Sequence, residues 1–220
     1  MGLPDALRAI ARRQPWPMPA QDASWREARF SVVDIETTGL RLNKDDIISV
    51  GAVEIIEGRV SSRTFYEVAK PHRPISEEAM CVHSLTSEDL EGAPPFAEVV
   101  SRLKRFVAGS VLVAHAAWIE RAFLDRALKP LGERVPDEIV DTAAIARSVL
   151  GMSMPDGSEP SLEALAMTLG LPVHTPHHAL GDAVTTAQVL LVLATRIESD
   201  REGQATVADL LRLSRDLRRR

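Results

Sequence analysis

Two acidic residues, Asp34 and Glu36, lie two positions apart near the end of an apolar segment, FSVVDIETTG. Side chains alternate along a strand, so a strand here directs both carboxylates to one face of a sheet. Two such carboxylates repel each other unless a cation lies between them, and hard divalent cations prefer oxygen ligands. The pair alone also fits a solvated sheet edge. Its valine and isoleucine neighbours favour a buried strand and therefore a metal site.

A second reactive group lies in the segment PHHALGDA, residues 176–183. His177 follows a proline and is predicted on a loop, whereas Asp182 falls in the first turns of the helix that comes next. This spacing would let Asp182 bind a metal while a neutral His177 removes a proton from water. The adjacent His178 is expected to pack or to form a hydrogen bond instead of reacting.

The third candidate acid, Glu120, lies in the segment VAHAAWIERAFL, residues 113–124. One interpretation makes Glu120 a solvated charge on an amphipathic helix. The other interpretation makes it a metal ligand in an acidic cluster whose other members lie far away in the sequence. The segment by itself fits both interpretations.

The elements that must position these residues alternate along the chain. Three strand-like segments come first, and Glu57-Gly58 predicts a hairpin turn between the second and the third. The later alternation predicts an α/β fold with a mixed central sheet, a three-stranded antiparallel meander plus two parallel strands, flanked by helices. Strands are predicted at 30–36, 46–56, 59–70, 111–114 and 139–140, and helices at 95–107, 118–128, 141–150, from 161, at 178–197 and at 207–220.

The two ends of the chain differ from the segment between them. Residues 1–28 are predicted to be an N-terminal extension, in which a short helical pattern leads into the helix-breaking run QPWPMP. Residues 29–198 are predicted to form the main domain, and residues 199–220 a basic C-terminal helix. A chain of 220 residues has room for one well-cored domain with such extensions.

The composition is that of a globular protein, with 45% hydrophobic and 26% charged residues. No apolar run approaches the roughly 18 residues of a membrane span and no secretory pattern is present, so we expect a cytoplasmic protein with no membrane partner. The single Cys81 is expected to be at least partly buried. A net charge of −5 is unusual for a nucleic-acid binder, but divalent cations bound to four carboxylates would leave the remaining surface nearly neutral.

Together the three segments resemble the motifs of DnaQ-like 3′-to-5′ exonucleases of the DEDDh class. This family contains the proofreading epsilon subunit of bacterial DNA polymerase III, RNase T and oligoribonuclease. FSVVDIETTG resembles the first motif, VAHAAWIERAFL the second, and HHALGDA the third with its H-x4-D spacing. The resemblance covers residues 30–197 in the family's order, and it implies an RNase H-like fold.

The resemblance also implies a two-metal mechanism with Mg²⁺ or Mn²⁺. Asp34, Glu36 and Asp182 would hold the catalytic cation, and Asp34 would bridge to a second one. Glu120 would approach the second cation directly or through water. His177 would act as the general base, and the product would be a nucleoside 5′-monophosphate. The residues expected to contact the substrate are Thr37, Thr38, His83 and Trp118.

The second motif departs from the family pattern H-N-A-x-F-D at three positions. Ala116 replaces the asparagine, Ile119 the phenylalanine and Glu120 the aspartate. The extra methylene of glutamate moves its carboxylate, which Mg²⁺ tolerates poorly and Mn²⁺ tolerates better. Asp125 is a poor substitute ligand because it lies on another face of the same helix. Asp141, at a further family position, is explained as a helix N-cap.

We expect a metal-dependent exonuclease acting on the 3′ ends of single-stranded DNA or RNA. The altered second motif suggests an alternative, a nucleic-acid or protein binding module with weakened catalysis. A third interpretation, a proofreading subunit, adds a polymerase or another repair protein as partner to the same chemistry. The basic last helix fits nucleic acid, a protein partner or a second copy in a homodimer, and the sequence does not choose among them.

Overall fold

Five strands form one mixed sheet in the computed structural model, which describes residues 20–152, 158–200 and 203–215. The strands are β1 (Phe30–Thr37), β2 (Ile47–Ile56), β3 (Arg59–Val68), β4 (Val111–Ala114) and β5 (Val140–Asp141). Their order across the sheet is β3-β2-β1-β4-β5. Glu57 and Gly58 have φ angles of 51° and 67°, as the predicted hairpin turn requires.

The pairing of the strands confirms the predicted fold class. β1 and β2, and β2 and β3, pair antiparallel, whereas β1 and β4, and β4 and β5, pair parallel. Asp34 of β1 lies opposite Gly51 of β2, and Glu36 lies opposite Ser49. Because directly opposed residues point to the same side of a sheet, the two acids share one face with this part of β2.

Seven α-helices surround the sheet in the described residues, and only the first was not predicted. That helix has seven residues, and its sequence signal is Ser76, whose hydroxyl accepts a hydrogen bond from the N–H of Ala79. Cys81 in this helix is exposed, so the expectation of a partly buried thiol is wrong. The helices are α1 (Glu77–His83), α2 (Phe96–Phe106), α3 (Trp118–Leu128), α4 (Thr142–Leu150), α5 (Leu162–Thr168), α6 (Ala179–Ser199) and α7 (Val207–Arg215).

The helices divide between the two faces of the sheet. On the face that carries the acids of β1, helices α4 to α7 pack on Phe30 and Val32. On the other face, α2 and α3 pack on Val33 and Ile35. This division follows from the alternation of side chains along β1. α6 therefore lies on the same face as the acids, whereas α3 packs on the opposite face and reaches them only with its first turn.

No apolar run of about 18 residues was expected from the sequence, but α6, the longest described helix, contains an 18-residue window that is largely apolar. It has 21 residues, and its most apolar window of 18 residues has a mean hydropathy of 1.3, enough by length and composition to cross a membrane. However, 61% of that window is buried inside the protein. Its apolar side chains belong to the main core with β1 and β2, so α6 is a core helix in this fold.

The segments before β1 and after α6 pack together on the main core. Trp25 is 2% exposed, and its backbone N–H donates to the carbonyl oxygen of Ala205 at 3.1 Å. The N–H of Val207 donates to the carbonyl oxygen of Ala23 at the same distance. Outside the described residues lie 1–19, with the predicted short helix and proline-rich run, 153–157 of the predicted loop, 201–202, and 216–220 of the predicted last helix.

Candidate metal centre and active site

Three acids come together at the end of β1. Asp34 and Glu36 project from β1, and Asp182 lies in the first turn of α6 on the same face of the sheet. One carboxylate oxygen from each residue can be chosen so that all three oxygens lie within 4.8 Å of one another. Oxygens at that separation can share one divalent cation, because cation–oxygen bonds are roughly 2.0–2.6 Å long. Two segments far apart in the sequence therefore meet, as predicted.

Gly51 in β2 allows α6 to approach the sheet closely enough to bring Asp182 to β1. A Cβ atom at Gly51 would lie 2.2 Å from the carbonyl carbon of Ala179 and 2.2 Å from the nitrogen of Leu180. Any side chain would therefore push the start of α6 away from the sheet. The sequence interpretation missed Gly51, although a glycine inside a strand pattern is a sign of close backbone approach.

A second glycine, Gly181, allows the loop that precedes α6 to pack closely against the first turn of this helix. A Cβ atom there would lie 2.2 Å from the carbonyl oxygen of His174 and 2.6 Å from that of Thr175. Thr175 and His177 have left-handed backbone conformations, with φ angles of 38° and 58°. Such conformations cost about 1–3 kcal/mol each and persist only where surrounding contacts hold them. One such contact is the hydrogen bond from the N–H of His177 to Oδ2 of Asp182, at 2.9 Å.

The two histidines of this loop have different surroundings. The ring of His178 stacks on Tyr66, with ring centroids 4.4 Å apart and planes 23° apart, which confirms the predicted packing role. The side chain of His177 is 50% exposed, and its Nε2 atom lies 3.6 Å from Oε1 of Glu163. His177 is thus held through its backbone beside the acids, while its imidazole faces solvent.

The fourth acid, Glu120, lies in the first turn of α3 and is only 7% exposed. Its Oε2 atom is buried without a hydrogen-bond partner in the described part of the chain. Burial raises the pKa of Glu120 well above its usual range; a backbone hydrogen bond opposes this rise, and the charges of Asp141 and Glu36 add to it. The interpretation of Glu120 as a solvated charge is therefore wrong, because the carboxylate is buried beside other acids.

Asp141 fixes the start of α3 from a neighbouring element. One carboxylate oxygen accepts hydrogen bonds from the N–H groups of Ala143 at 3.0 Å and Ala144 at 3.3 Å, which confirms the predicted N-cap of α4. The other oxygen accepts from the N–H of Ala117 at 3.2 Å. Ala116, immediately before, has a φ angle of 54°. Asparagine tolerates that conformation better than alanine, so the family's asparagine has a backbone advantage that Ala116 lacks.

Burial and mutual repulsion disfavour the ionised forms of the acids in this cluster. Burial raises the pKa of Asp34 well above its usual range, and the charges of Glu120 and Glu36 raise it further. Burial, together with the charge of Asp182, raises the pKa of Glu36 to about 8. Burial raises the pKa of Asp182 to about 6, against the lowering effect of the backbone N–H and the charge of His177.

A divalent cation would suit this arrangement. It would compensate the repulsion between the carboxylates and favour their ionised forms. It would also provide a partner for Oε2 of Glu120 and Oδ1 of Asp182, both of which are buried without a hydrogen-bond partner among the residues described. A donor set made only of oxygens suits Mg²⁺ and Mn²⁺. The side chains present therefore fit the cations that the family resemblance implies.

A cavity of about 470 Å³ opens beside Glu36. Its wall includes Thr37 and His83, both predicted to contact substrate. It also includes two strongly exposed apolar side chains, Leu40 (85% exposed) and Val82 (50% exposed). The sequence interpretation missed Leu40 and Val82, because nothing in their local patterns distinguishes them from ordinary turn and helix residues.

Three of the predicted substrate residues already have hydrogen-bond partners within the fold. The hydroxyl of Thr37 donates to the carbonyl oxygen of Gly39 at 2.7 Å. Nδ1 of His83 accepts a hydrogen bond from the N–H of Leu85 at 3.0 Å, so Nε2 carries the hydrogen and donates to the carbonyl oxygen of Thr37 at 3.2 Å. Thr38 is 1% exposed, and its hydroxyl accepts from the N–H of Asp46 at 2.9 Å. Thr38 therefore lies near the site without reaching its surface.

Trp118 lies apart from the acidic cluster. It is 39% exposed and lines a different cavity, also of about 470 Å³, between α3 and α7. Asp125, further along α3, accepts a hydrogen bond from the N–H of Val135 at 2.8 Å. Asp125 thus anchors the loop after α3, in keeping with its predicted position on another face of the helix.

The chain is similar to known exonucleases in both sequence and fold. The family model of RNase T type, described as an exonuclease, matches residues 31–190. A DNA polymerase III subunit epsilon-like protein of Rhodobacter capsulatus is 37% identical over 174 residues, which cover 77% of this chain and 24% of that protein. The DNA polymerase III subunit epsilon of Escherichia coli is 30% identical over 212 residues, which cover 86% of this chain and 85% of that subunit.

A similar solved structure is that of exonuclease X in complex with 5′ overhanging duplex DNA. The TM-score is 0.65 and the identity 27%, with 84% of this chain and 99% of that chain covered. The chain spans only about a quarter of the longer Rhodobacter capsulatus relative. Because the family model covers most of the chain and the motifs meet at one site in this fold, the chain belongs to the DnaQ-like (DEDDh) exonuclease family.

Proposed function

We propose that this protein hydrolyses single-stranded DNA or RNA from the 3′ end and releases nucleoside 5′-monophosphates. The observation that carries this proposal is the meeting of Asp34, Glu36 and Asp182, with ligand oxygens within 4.8 Å of one another. The backbone N–H of His177 donates a hydrogen bond to Asp182, a member of this group. Paired acids with a nearby histidine supply what phosphodiester hydrolysis needs, a cation site and a proton acceptor.

Two divalent cations, Mg²⁺ or Mn²⁺, are the cofactors in this proposal. Asp34, Glu36 and Asp182 would hold one cation, and Asp34 with Glu120 would hold the other. When bound, the cations would stabilise the charge that develops on the attacking and leaving oxygens of the phosphodiester. The protein's part is to hold three carboxylates within reach of one cation and to bury Glu120 nearby, where burial raises the pKa values of Asp34 and Glu120 and so disfavours their ionised forms.

The general base in this proposal is His177. Its backbone is fixed by the hydrogen bond to Asp182, and its imidazole remains half exposed, where both water and substrate can reach it. The cavity beside Glu36 would receive the terminal nucleotide. There the exposed side chains of Leu40 and Val82 offer apolar contact to a base, and the wall includes Thr37 and His83.

The replaced residues of the second motif support a second candidate, a nucleic-acid or protein binding module with weakened catalysis. Glu120 carries its carboxylate one methylene further from the backbone than the family's aspartate, and the protein holds it buried with one oxygen unpartnered. Similarity to the epsilon subunit also motivates a polymerase as a partner, with proofreading as the role of the hydrolysis. Both candidates use the same acidic site. In the first the site mainly binds a partner, and in the second it hydrolyses nucleic acid beside a polymerase.

The test is monophosphate release from 3′-labelled single-stranded DNA and short RNA, with Mg²⁺ or Mn²⁺. We expect release by the wild type and none by Asp34→Asn, because that change removes the central carboxylate of the cluster. His177→Ala should lose about 10²- to 10⁴-fold in kcat, the usual contribution of a general base, and keep its affinity for Mn²⁺.

A matched control is Glu91→Gln, which removes an exposed acid outside the cluster and should leave release unchanged. Binding of the oligonucleotides without release by the wild type under all conditions would reject hydrolysis and favour the binding module. Wild-type turnover by His177→Ala would remove His177 as the base.

A further inference from the structure

We propose that Glu163 positions the imidazole of His177, with its carboxylate accepting a hydrogen bond from Nε2. This inference rests on the proposed role of His177 as the general base. The sequence interpretation assigned no chemistry to Glu163. This residue lies in α5, the helix that precedes the loop with His177. In the fold its Oε1 atom lies 3.6 Å from Nε2 of His177. That separation is slightly longer than a hydrogen bond, and rotation of a half-exposed ring can close it.

Glu163 projects from a firmly anchored helix. It lies in the first turn of α5, where the hydroxyl of Ser161 accepts a hydrogen bond from the N–H of Ala164 at 3.2 Å. On the inner side of α5, Leu165 and Ala166 are fully buried in the main core. The carboxylate itself is 30% exposed and faces the loop before α6. The backbone of Glu163 is therefore fixed while its side chain can follow the imidazole.

A carboxylate carried on this anchored helix would decide which nitrogen of His177 carries the hydrogen. A neutral imidazole has one nitrogen that donates and one that accepts a hydrogen bond. If Nε2–H donates to Glu163, the lone pair on Nδ1 is left to take the proton from water. The backbone hydrogen bond to Asp182 fixes the main chain of His177 and leaves its ring orientation open. Among the described residues, Glu163 is the acid whose carboxylate lies close to a nitrogen of this ring.

Another role for Glu163 would be that of an additional metal ligand. Its charge contributes to the raised pKa values of Asp34 and Asp182, so it lies within electrostatic range of both. However, the oxygens that gather within 4.8 Å come from Asp34, Glu36 and Asp182. Its near neighbour is the imidazole, and we therefore assign it to the base and not to the cation.

The first experiment observes His177 in the metal-free protein by ¹⁵N-resolved NMR of the histidine rings, with His177→Ala to identify its signals. We expect the Nε2–H form to dominate in the wild type and in Glu163→Gln, whose amide oxygen still accepts a hydrogen bond. In Glu163→Leu, which has no acceptor, the two neutral forms should become mixed. The control Glu91→Gln should match the wild type. An unchanged ratio in Glu163→Leu would overturn the assignment.

The second experiment measures kinetics and Mn²⁺ affinity of the same variants. We expect Glu163→Leu to lose about 10- to 100-fold in kcat, as when a partner that orients a functional histidine is removed, with KM and Mn²⁺ affinity within about twofold. Glu163→Gln should recover part of the loss. A large loss of Mn²⁺ affinity would instead identify Glu163 as a metal ligand. Normal turnover by His177→Ala would reject His177 as the general base. Normal turnover by Glu163→Leu together with a large loss in His177→Ala would reject only the positioning role of Glu163.

Discussion

The half of the site built from β1 and α6 differs in construction from the half built from β4 and α3. In the first half, backbones lie close together: a Cβ atom at Gly51 or at Gly181 would lie 2.2 Å from a neighbouring backbone atom. In the second half, no such approach holds Glu120. The start of α3 is tied instead by one side chain, Asp141, which accepts from the N–H of Ala117.

The residues that depart from the family pattern, Ala116, Ile119 and Glu120, all lie in the second half. In the first half, Gly181 of the third motif has a backbone oxygen 2.2 Å from where its Cβ atom would lie, so a larger residue there would force the loop or the helix to move. A helix start tied by a neighbouring carboxylate tolerates substitution, so Ala116 and Glu120 can replace the usual residues there.

The largest expected effect comes from breaking the close approach in the first half. Gly51→Ala places a methyl group into the backbone of α6 at Ala179, so the helix must move. We expect a loss of about 3 kcal/mol in the free energy of unfolding, typical of a severe clash, and loss of detectable Mn²⁺ binding. Urea denaturation and a Mn²⁺ titration measure the two effects.

The matched control for this change is Gly109→Ala. Gly109 has a φ angle of 78° and nothing within 4 Å of its missing Cβ atom, so only backbone strain of about 1 kcal/mol should result. Equal losses for the two variants would mean that the contact between α6 and the sheet does not set the geometry of the first half.

An intermediate effect is expected from pH and cations. Folded-state pKa values of about 8 for Glu36 and about 6 for Asp182 lie above the ordinary 4.5 and 3.8. At a pH between the ordinary and the raised pKa values, the folded protein binds more protons than the unfolded chain, so unfolding releases protons. The metal-free protein should therefore lose stability as pH rises from about 4 to about 8. We expect the melting temperature to fall by several degrees over this range, and Mg²⁺ to restore more of it at pH 8 than at pH 5.

Two variants connect this pH dependence to the two halves. Asp182→Asn removes a proposed cation ligand of the β1 and α6 half, and Glu120→Gln removes the acid of the α3 half. We expect Asp182→Asn to abolish most of the Mg²⁺ effect and Glu120→Gln to abolish less of it. The reverse order would show that the α3 half holds the cation more strongly than the β1 and α6 half does.

The smallest expected effect concerns the backbone of the second half. Ala116→Gly relieves a left-handed conformation that costs alanine about 1 kcal/mol, and the greater freedom of glycine in the unfolded chain offsets about half of this gain. We expect a net stabilisation of about 0.5 kcal/mol in urea denaturation. The control Ala114→Gly, in the buried strand β4, should destabilise the protein instead. A comparable loss at both positions would contradict strain at Ala116.

Parts of the fold were predictable because their patterns are local. The strand with Asp34 and Glu36 and the helix with Asp182 carry their own periodicity and flanking signals. The short helix α1 escaped prediction because seven residues give too little periodicity, and only the cap at Ser76 marks it. The burial of Thr38 also escaped prediction, since its hydrogen bonds to Asp46 depend on the path of a loop.

The sequence by itself determined the fold class and the family, because residue types and their spacing along the chain are fixed before it folds. Only the tertiary structure decided that Glu120 is buried with the acids and that Gly51 sets the approach of α6. It also brought Glu163 beside His177. These three results depend on contacts between segments distant along the chain, and such contacts exist only once the sheet and its helices have packed.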